Sequence, residues 1–147
     1  MKERGLAVLA VAAVIWACKA GSFEDPFELQ RVVGNLLSLN DDPPGLTVPD
    51  SAPAGAPFTA TVYTTGGGCV LQSAGQDVSV SGLVAEIVPY DLLRRRRQGE
   101  TLCSDVQKFF GRTVELVFTE TGAATVRVRA ATGEDSLSSI ERQVRIY

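Results

Sequence analysis

Alternation of period two is the feature that most limits what this chain can become. In Ala124–Ala130, Ala124, Val126 and Val128 alternate with Thr125, Arg127 and Arg129, so branched aliphatics share one face and charges the other. That is the pattern of an antiparallel strand with one face on a core and one in water. The pattern recurs along the chain. Phe58, Ala60 and Val62 alternate with Thr59, Thr61 and Tyr63 over 58–65, and Val114, Leu116 and Phe118 share a face over 113–119. Val78–Ser81 and Val84–Pro89 flank a bend at Ser81 and Gly82, and Val144 and Ile146 point inward in a closing strand over 143–147. These runs are rich in β-branched and aromatic residues, whereas Thr132–Ser139 reads as a loop. Six or seven short strands separated by turn clusters predict an all-β domain over 46–147, arranged as a β-sandwich.

Ahead of that domain the period changes. Asp25 suits a helix cap, Pro26 the first helical position, and Glu28 follows three residues after the cap. Leu29, Val32, Val33, Leu36 and Leu37 then fall on one face at helical spacing. Asn40, Asp41, Asp42, Pro43, Pro44 and Gly45 stop the run. A short helix over 25–39 and a Pro-rich linker are therefore predicted within an N-terminal segment 18–45.

The first 17 residues have a different logic. Lys2 and Arg4 precede an apolar and small stretch, Gly5–Ala17, which matches the basic and apolar regions of a secretory signal peptide. It falls short of the roughly 20 apolar residues that a membrane-spanning helix needs. The ending Ile15–Cys18, IWAC, resembles the lipobox of bacterial lipoproteins, although Trp16 is bulkier than that pattern usually carries. The resemblance implies cleavage before Cys18, lipidation of Cys18 and export. A lipid anchor of two or three chains holds a protein to the membrane for practical purposes permanently. With Lys19 in place of the aspartate that commonly signals inner-membrane retention, the family pattern implies the periplasmic face of the outer membrane in a diderm organism.

Export bears on the other cysteines. With Cys18 consumed by lipid, Cys69 and Cys103 remain as an even pair in an oxidising compartment and are expected to form a disulfide. Removal of the signal leaves about 130 residues, the size of one domain with its own core. The chain has a formal net charge of −3, and losing Lys2, Glu3 and Arg4 makes the remainder one unit more acidic. A mildly acidic surface gives no electrostatic reason to bind nucleic acid.

The scaffold also has a likeness. Leu46–Val62, LTVPDSAPAGAPFTATV, resembles the first two strands of bacterial immunoglobulin-like modules, and Gly122–Arg129, GAATVRVR, resembles their penultimate strand. With GGGC at Gly66–Cys69 and VPYD at Val88–Asp91, the span Leu46–Tyr147 is similar to small immunoglobulin-like lipoproteins. The resemblance implies an immunoglobulin-like antiparallel β-sandwich. Trp16 is the sole tryptophan and Cys103 precedes the Val114 strand, so the antibody-type Cys and Trp core is missing and the disulfide is expected to tie loops or strand ends.

Candidate chemistry is sparse. Histidine is absent, which removes the usual Ser/His and Cys/His nucleophile arrangements and the main nitrogen ligand of zinc sites. Gly66, Gly67 and Gly68 lack the Gly-Lys-Ser/Thr of a phosphate loop and read as a turn. Asp41 with Asp42, and Glu134 with Asp135, lack calcium-loop spacing and read as solvated loop acids. No metal or cofactor is expected. The conspicuous charge feature is Arg94, Arg95, Arg96 and Arg97, placed in a loop by Gln98 and Gly99. A like-charge run is commonly a solvated segment, but guanidinium groups also suit phosphates of lipopolysaccharide, phospholipid or another polyanion. The expectation is a membrane-tethered, noncatalytic binding or structural lipoprotein of the cell envelope, whose partner is an envelope protein, a polysaccharide or lipopolysaccharide. The alternative is a small carboxylate-dependent enzyme such as a glycosidase.

Overall fold

A computed structural model describes residues 25–133 and 136–147 of the 147-residue chain. The expected signal peptide, Cys18, Glu134 and Asp135 lie outside the described residues. Ten strands run in order: β1 (Phe27–Val33), β2 (Asn35–Leu36), β3 (Leu46–Thr47), β4 (Ser51–Ala52), β5 (Phe58–Gly66), β6 (Val70–Ser81), β7 (Val84–Arg96), β8 (Lys108–Leu116), β9 (Gly122–Ala131) and β10 (Leu137–Ile146). The protein is all-β across its described residues.

The predicted inward residues are the core. Ala60 and Val62 of β5, Ala85 and Ile87 of β7, Ala124, Val126 and Val128 of β9, and Val144 of β10 have no exposed surface. Leu116 of β8 and Phe118 just beyond it complete the same cluster, and Phe118 stacks on Phe58 with ring centroids 5.9 Å apart. Their partners in the alternation, such as Thr125, Arg127 and Arg129, face outward, where Arg127 bonds Glu141 at 2.6 Å. Burying one such Val or Leu contributes about 1.5–3 kcal/mol, which fixes which face of each strand turns inward.

The strands form one continuous hydrogen-bonded sheet curled around this core as a half-barrel. Along it β5 pairs antiparallel with β8 and β3, and β9 pairs antiparallel with β10 and parallel with β7, whose other edge carries β6. The short β2 joins the two groups, antiparallel to β5 and parallel to β9. β4 lies parallel to β10.

The helix expected over 25–39 is not formed: this segment is β1 and β2. Asp25 does cap, because its Oδ1 accepts the Phe27 N–H at 3.0 Å, but this Asx turn starts a strand. All seven residues of β1 pair with Tyr90–Arg96 of β7. Short isolated helices are marginal in water, and the open edge of a long strand offers the backbone groups on one side of this run a ladder of partners. Gly34 then lets the chain cross from β7 to β5. A Cβ there would stand 2.6 Å from both Asp91 Oδ2 and Thr64 Cγ2.

A second correction concerns Arg94–Arg97. Expected in a loop, the run instead forms the end of β7 through Arg96, because β1 supplies partners up to Phe27↔Arg96. The loop starts only at Arg97.

Candidate functional site

Pairing with β1 sets the geometry of the arginines. Residues directly opposite on paired strands share a face, and successive residues alternate. Arg94 opposite Leu29 and Arg96 opposite Phe27 therefore occupy the outer face, while Arg95 opposite Glu28 occupies the inner one. The Arg94 guanidinium lies 3.7 Å from the centre of the Phe27 ring and that of Arg96 6.0 Å, so one aromatic side chain supports two cations. Arg97 ties the end of the strand to the incoming chain: its backbone N–H donates to Pro26 O at 2.9 Å and its Nε to Asp25 O at 3.1 Å. All four arginines are exposed.

Arg95 borders an open cleft of about 780 Å³ on the inner face. Val32, Val70 and Leu93 give it an apolar floor, and Gln30, Asn35 and Arg95 give it polar groups. Its size lies within the range of small-ligand sites. The cleft continues the inner face of β7 beyond the core, along the series Ala85, Ile87, Pro89, Asp91, Leu93 and Arg95.

Between core and cleft sits a buried polar knot. Arg112 Nη2 of β8 donates to Asp91 Oδ1 at 2.5 Å and to Thr64 Oγ1 at 2.6 Å. Thr64 in turn donates to Asp91 Oδ2 at 2.7 Å. Arg112 Nη1 reaches the carbonyls of Tyr90 at 2.8 Å and Gly75 at 3.1 Å. The Gly75 carbonyl belongs to an irregular stretch of β6, between Ser73 and Gln76, where pairing with β7 shifts register. Lys108 Nζ, also on β8, donates to Val70 O at 3.2 Å. Side chains of β8 thus bond backbone of β6 across the opening that strand pairing leaves unclosed.

Sequence reading missed this knot, yet a signal was present. Arg112 is in phase with Val114 and Leu116, Thr64 with Ala60 and Val62, and Asp91 with Ile87. A charge at an inward position of a strand is costly unless paired, so two such charges of opposite sign point to each other.

Cys69 and Cys103 are joined, with Cα atoms 5.1 Å apart. The bond ties the turn between β5 and β6 to the loop between β7 and β8, as expected for a link between loops. Of the three glycines expected in a turn, Gly66 ends β5, while Gly67 and Gly68 lie in the turn that Val70 N–H closes on Gly67 O at 3.0 Å; Gly68 N–H donates to Ser104 O at 3.1 Å beside the disulfide. Asp41 caps its own turn by accepting the Ser38 N–H at 2.6 Å, and Asp42 is exposed. Among the described residues no three His, Cys, Asp or Glu side chains are grouped as metal ligands.

Comparison with protein-family models, curated proteins and solved structures finds no match to this chain.

Proposed function

We propose that the chain is a noncatalytic binding module of the cell envelope, held to the membrane through a lipidated Cys18, with its ligand site at the end of β7 that carries Arg94–Arg97. The observation that carries this reading is the cleft itself. An apolar floor with a few polar groups and one guanidinium at its border suits a ligand with an aliphatic portion and a negative charge. The only carboxylate buried among the described residues, Asp91, is bonded by both Arg112 and Thr64 in the interior and is not presented to a substrate. A carboxylate enzyme therefore has less support than binding. An immunoglobulin-like origin of the scaffold is part of the proposal: the pairs β5 with β8 and β9 with β10 support it, and β7 lying parallel beside β9 departs from it.

The test is site-specific photocrosslinking in intact cells. A photoreactive phenylalanine replaces Gln30 in the cleft or Val80 on β6, in the wild-type and Cys18→Ser backgrounds. A discrete adduct from position 30 and none from position 80 is the expected result. Adducts from both positions alike, or from neither, would remove the cleft as the binding site. Cys18→Ser is expected to move the protein from the membrane to the soluble fraction, and unchanged partition would remove the anchor.

A further inference from the structure

We infer that the arginine-bearing end of the domain docks on anionic phospholipid headgroups of the membrane that holds the chain, as a second anchor beside the lipid; this rests on the lipidation of Cys18 proposed above. Position is the first support. The chain enters the domain at this end, where Asp25 and Pro26 are bonded to Arg97. Seven Cα steps separate Asp25 from Cys18, so full extension keeps this end within about 25 Å of the lipidated residue. The turn at Gly82 lies at the other end of β7, roughly 40 Å along the strand.

Chemistry is the second support. The outer face that carries Arg94 and Arg96 also presents Leu29, 61% exposed, and the loop after Arg97 presents Leu102, 89% exposed. Cys103 fixes that loop to Cys69, which keeps Leu102 at this end. Exposed aliphatic tips between guanidinium groups fit a headgroup layer, where the aliphatic tip meets the acyl boundary and the guanidinium bonds phosphate. The ion pairs of the described residues engage Arg31, Arg112, Arg127 and Arg129 and none of Arg94–Arg97; even Glu28, opposite Arg95, stays beyond pairing distance. Among the described residues, then, no carboxylate side chain pairs with these guanidinium groups, while the acidic balance of the whole chain turns its other surfaces away from an anionic leaflet.

Each basic residue near an anionic surface strengthens attachment about five-fold. Glu100 and Asp105 in the same loop oppose the arginines, so the expected contribution of all four is at least about ten-fold and not the full product. The test uses the chain as the cell processes it, carrying Leu102→Trp, with Trp16→Phe so that any uncleaved chain adds no second indole, mixed with neutral phosphatidylcholine vesicles or with phosphatidylglycerol-rich ones. Sedimentation with neutral vesicles reads the tether, and the emission of the indole reads docking. The expected result is a blue shift on anionic vesicles only, reversed by high salt. In the combined Arg94→Ser, Arg95→Ser, Arg96→Ser, Arg97→Ser variant, the shift should need at least about ten-fold more anionic lipid. Tethered chain with unshifted emission, an equal shift on neutral vesicles, or a shift indifferent to the arginines would overturn docking. A shift with lipopolysaccharide but not with phosphatidylglycerol would overturn the phospholipid assignment. Chain that fails to sediment with neutral vesicles yet shifts on anionic ones would remove the tether and leave docking standing.

Discussion

Arg112 on β8 and Asp91 on β7 form an ion pair of 2.5 Å across the interior of the half-barrel, with side chains 5% and 2% exposed. Neither strand pairs with the other through backbone, so this contact and the Arg112 bonds to the Tyr90 and Gly75 carbonyls hold β8 against the β6–β7 hairpin. Removing one member leaves the other charge buried and unpaired, which costs about 3–5 kcal/mol. Asp91→Ala is therefore expected to lower the free energy of unfolding by about that amount in a denaturant titration, whereas Asp91→Leu combined with Arg112→Met should lose less than the single change does. Equal loss in the single and double variants would show that the pair is not coupled.

The disulfide closes a loop of 34 residues between a turn and a loop that strand pairing does not otherwise connect. On the chain-entropy account, its removal is expected to cost about 3–4 kcal/mol. Reduction should lower the melting temperature, and mass spectrometry of the unreduced domain should find no alkylatable thiol at Cys69 or Cys103. An unchanged melting temperature would mean that native contacts alone fix these loops.

Faces assigned by register separate the arginines energetically. Arg94→Ser loses a guanidinium stacked on Phe27, worth about 0.5–1 kcal/mol at an exposed site. Arg95→Ser, on the cleft side, should change stability by less than about 0.5 kcal/mol. The denaturant midpoints of the two variants check this, and the reverse order would place the run one residue out of register.

Tyr90 gives a spectroscopic test of the β6–β7 pairing. Its hydroxyl donates to Asp77 Oδ2 at 3.0 Å, and that hydrogen bond, followed by burial and the negative charge of Asp77, raises its pKa above the usual 10.0. Arg31, 3.5 Å from the ring centre, acts in the opposite direction. A raised folded-state pKa means that the neutral phenol is favoured in the fold. The associated stability is complete below the unfolded value of about 10 and disappears as pH climbs through the folded value. Phenolate absorbance of wild type minus Tyr90→Phe should have its midpoint above 10, and Asp77→Ala should bring it down. A midpoint unmoved by Asp77→Ala would break the assignment.

Much of the strand content was legible without a structure because the inward side chains in β5, β8, β9 and β10 follow a local rule. Ala60, Val62, Leu116, Val126 and Val128 need only their own sequence neighbours to declare a face, and all are buried. The turn at Gly82 and the pairing of Cys69 with Cys103 were legible for similar reasons, one from local turn chemistry and the other from counting thiols. What lies in 25–39 was not legible. Leu29, Val32, Val33, Leu36 and Leu37 satisfy helical spacing, but Leu36 becomes strand through a partner 28 residues away, and Leu29, Val32 and Val33 through one more than fifty residues away. That same long-range pairing turned Arg94–Arg96 from loop into strand and divided the arginines between a Phe27-supported outer face and a cleft. The Asp91, Thr64 and Arg112 knot joins three strands, so only tertiary structure could bring its charges within hydrogen-bond reach. Sequence determined which face of each core strand turns inward, because hydrophobic burial acts residue by residue. Tertiary structure decided which strands meet, because backbone hydrogen bonds join any two edges that the fold brings together.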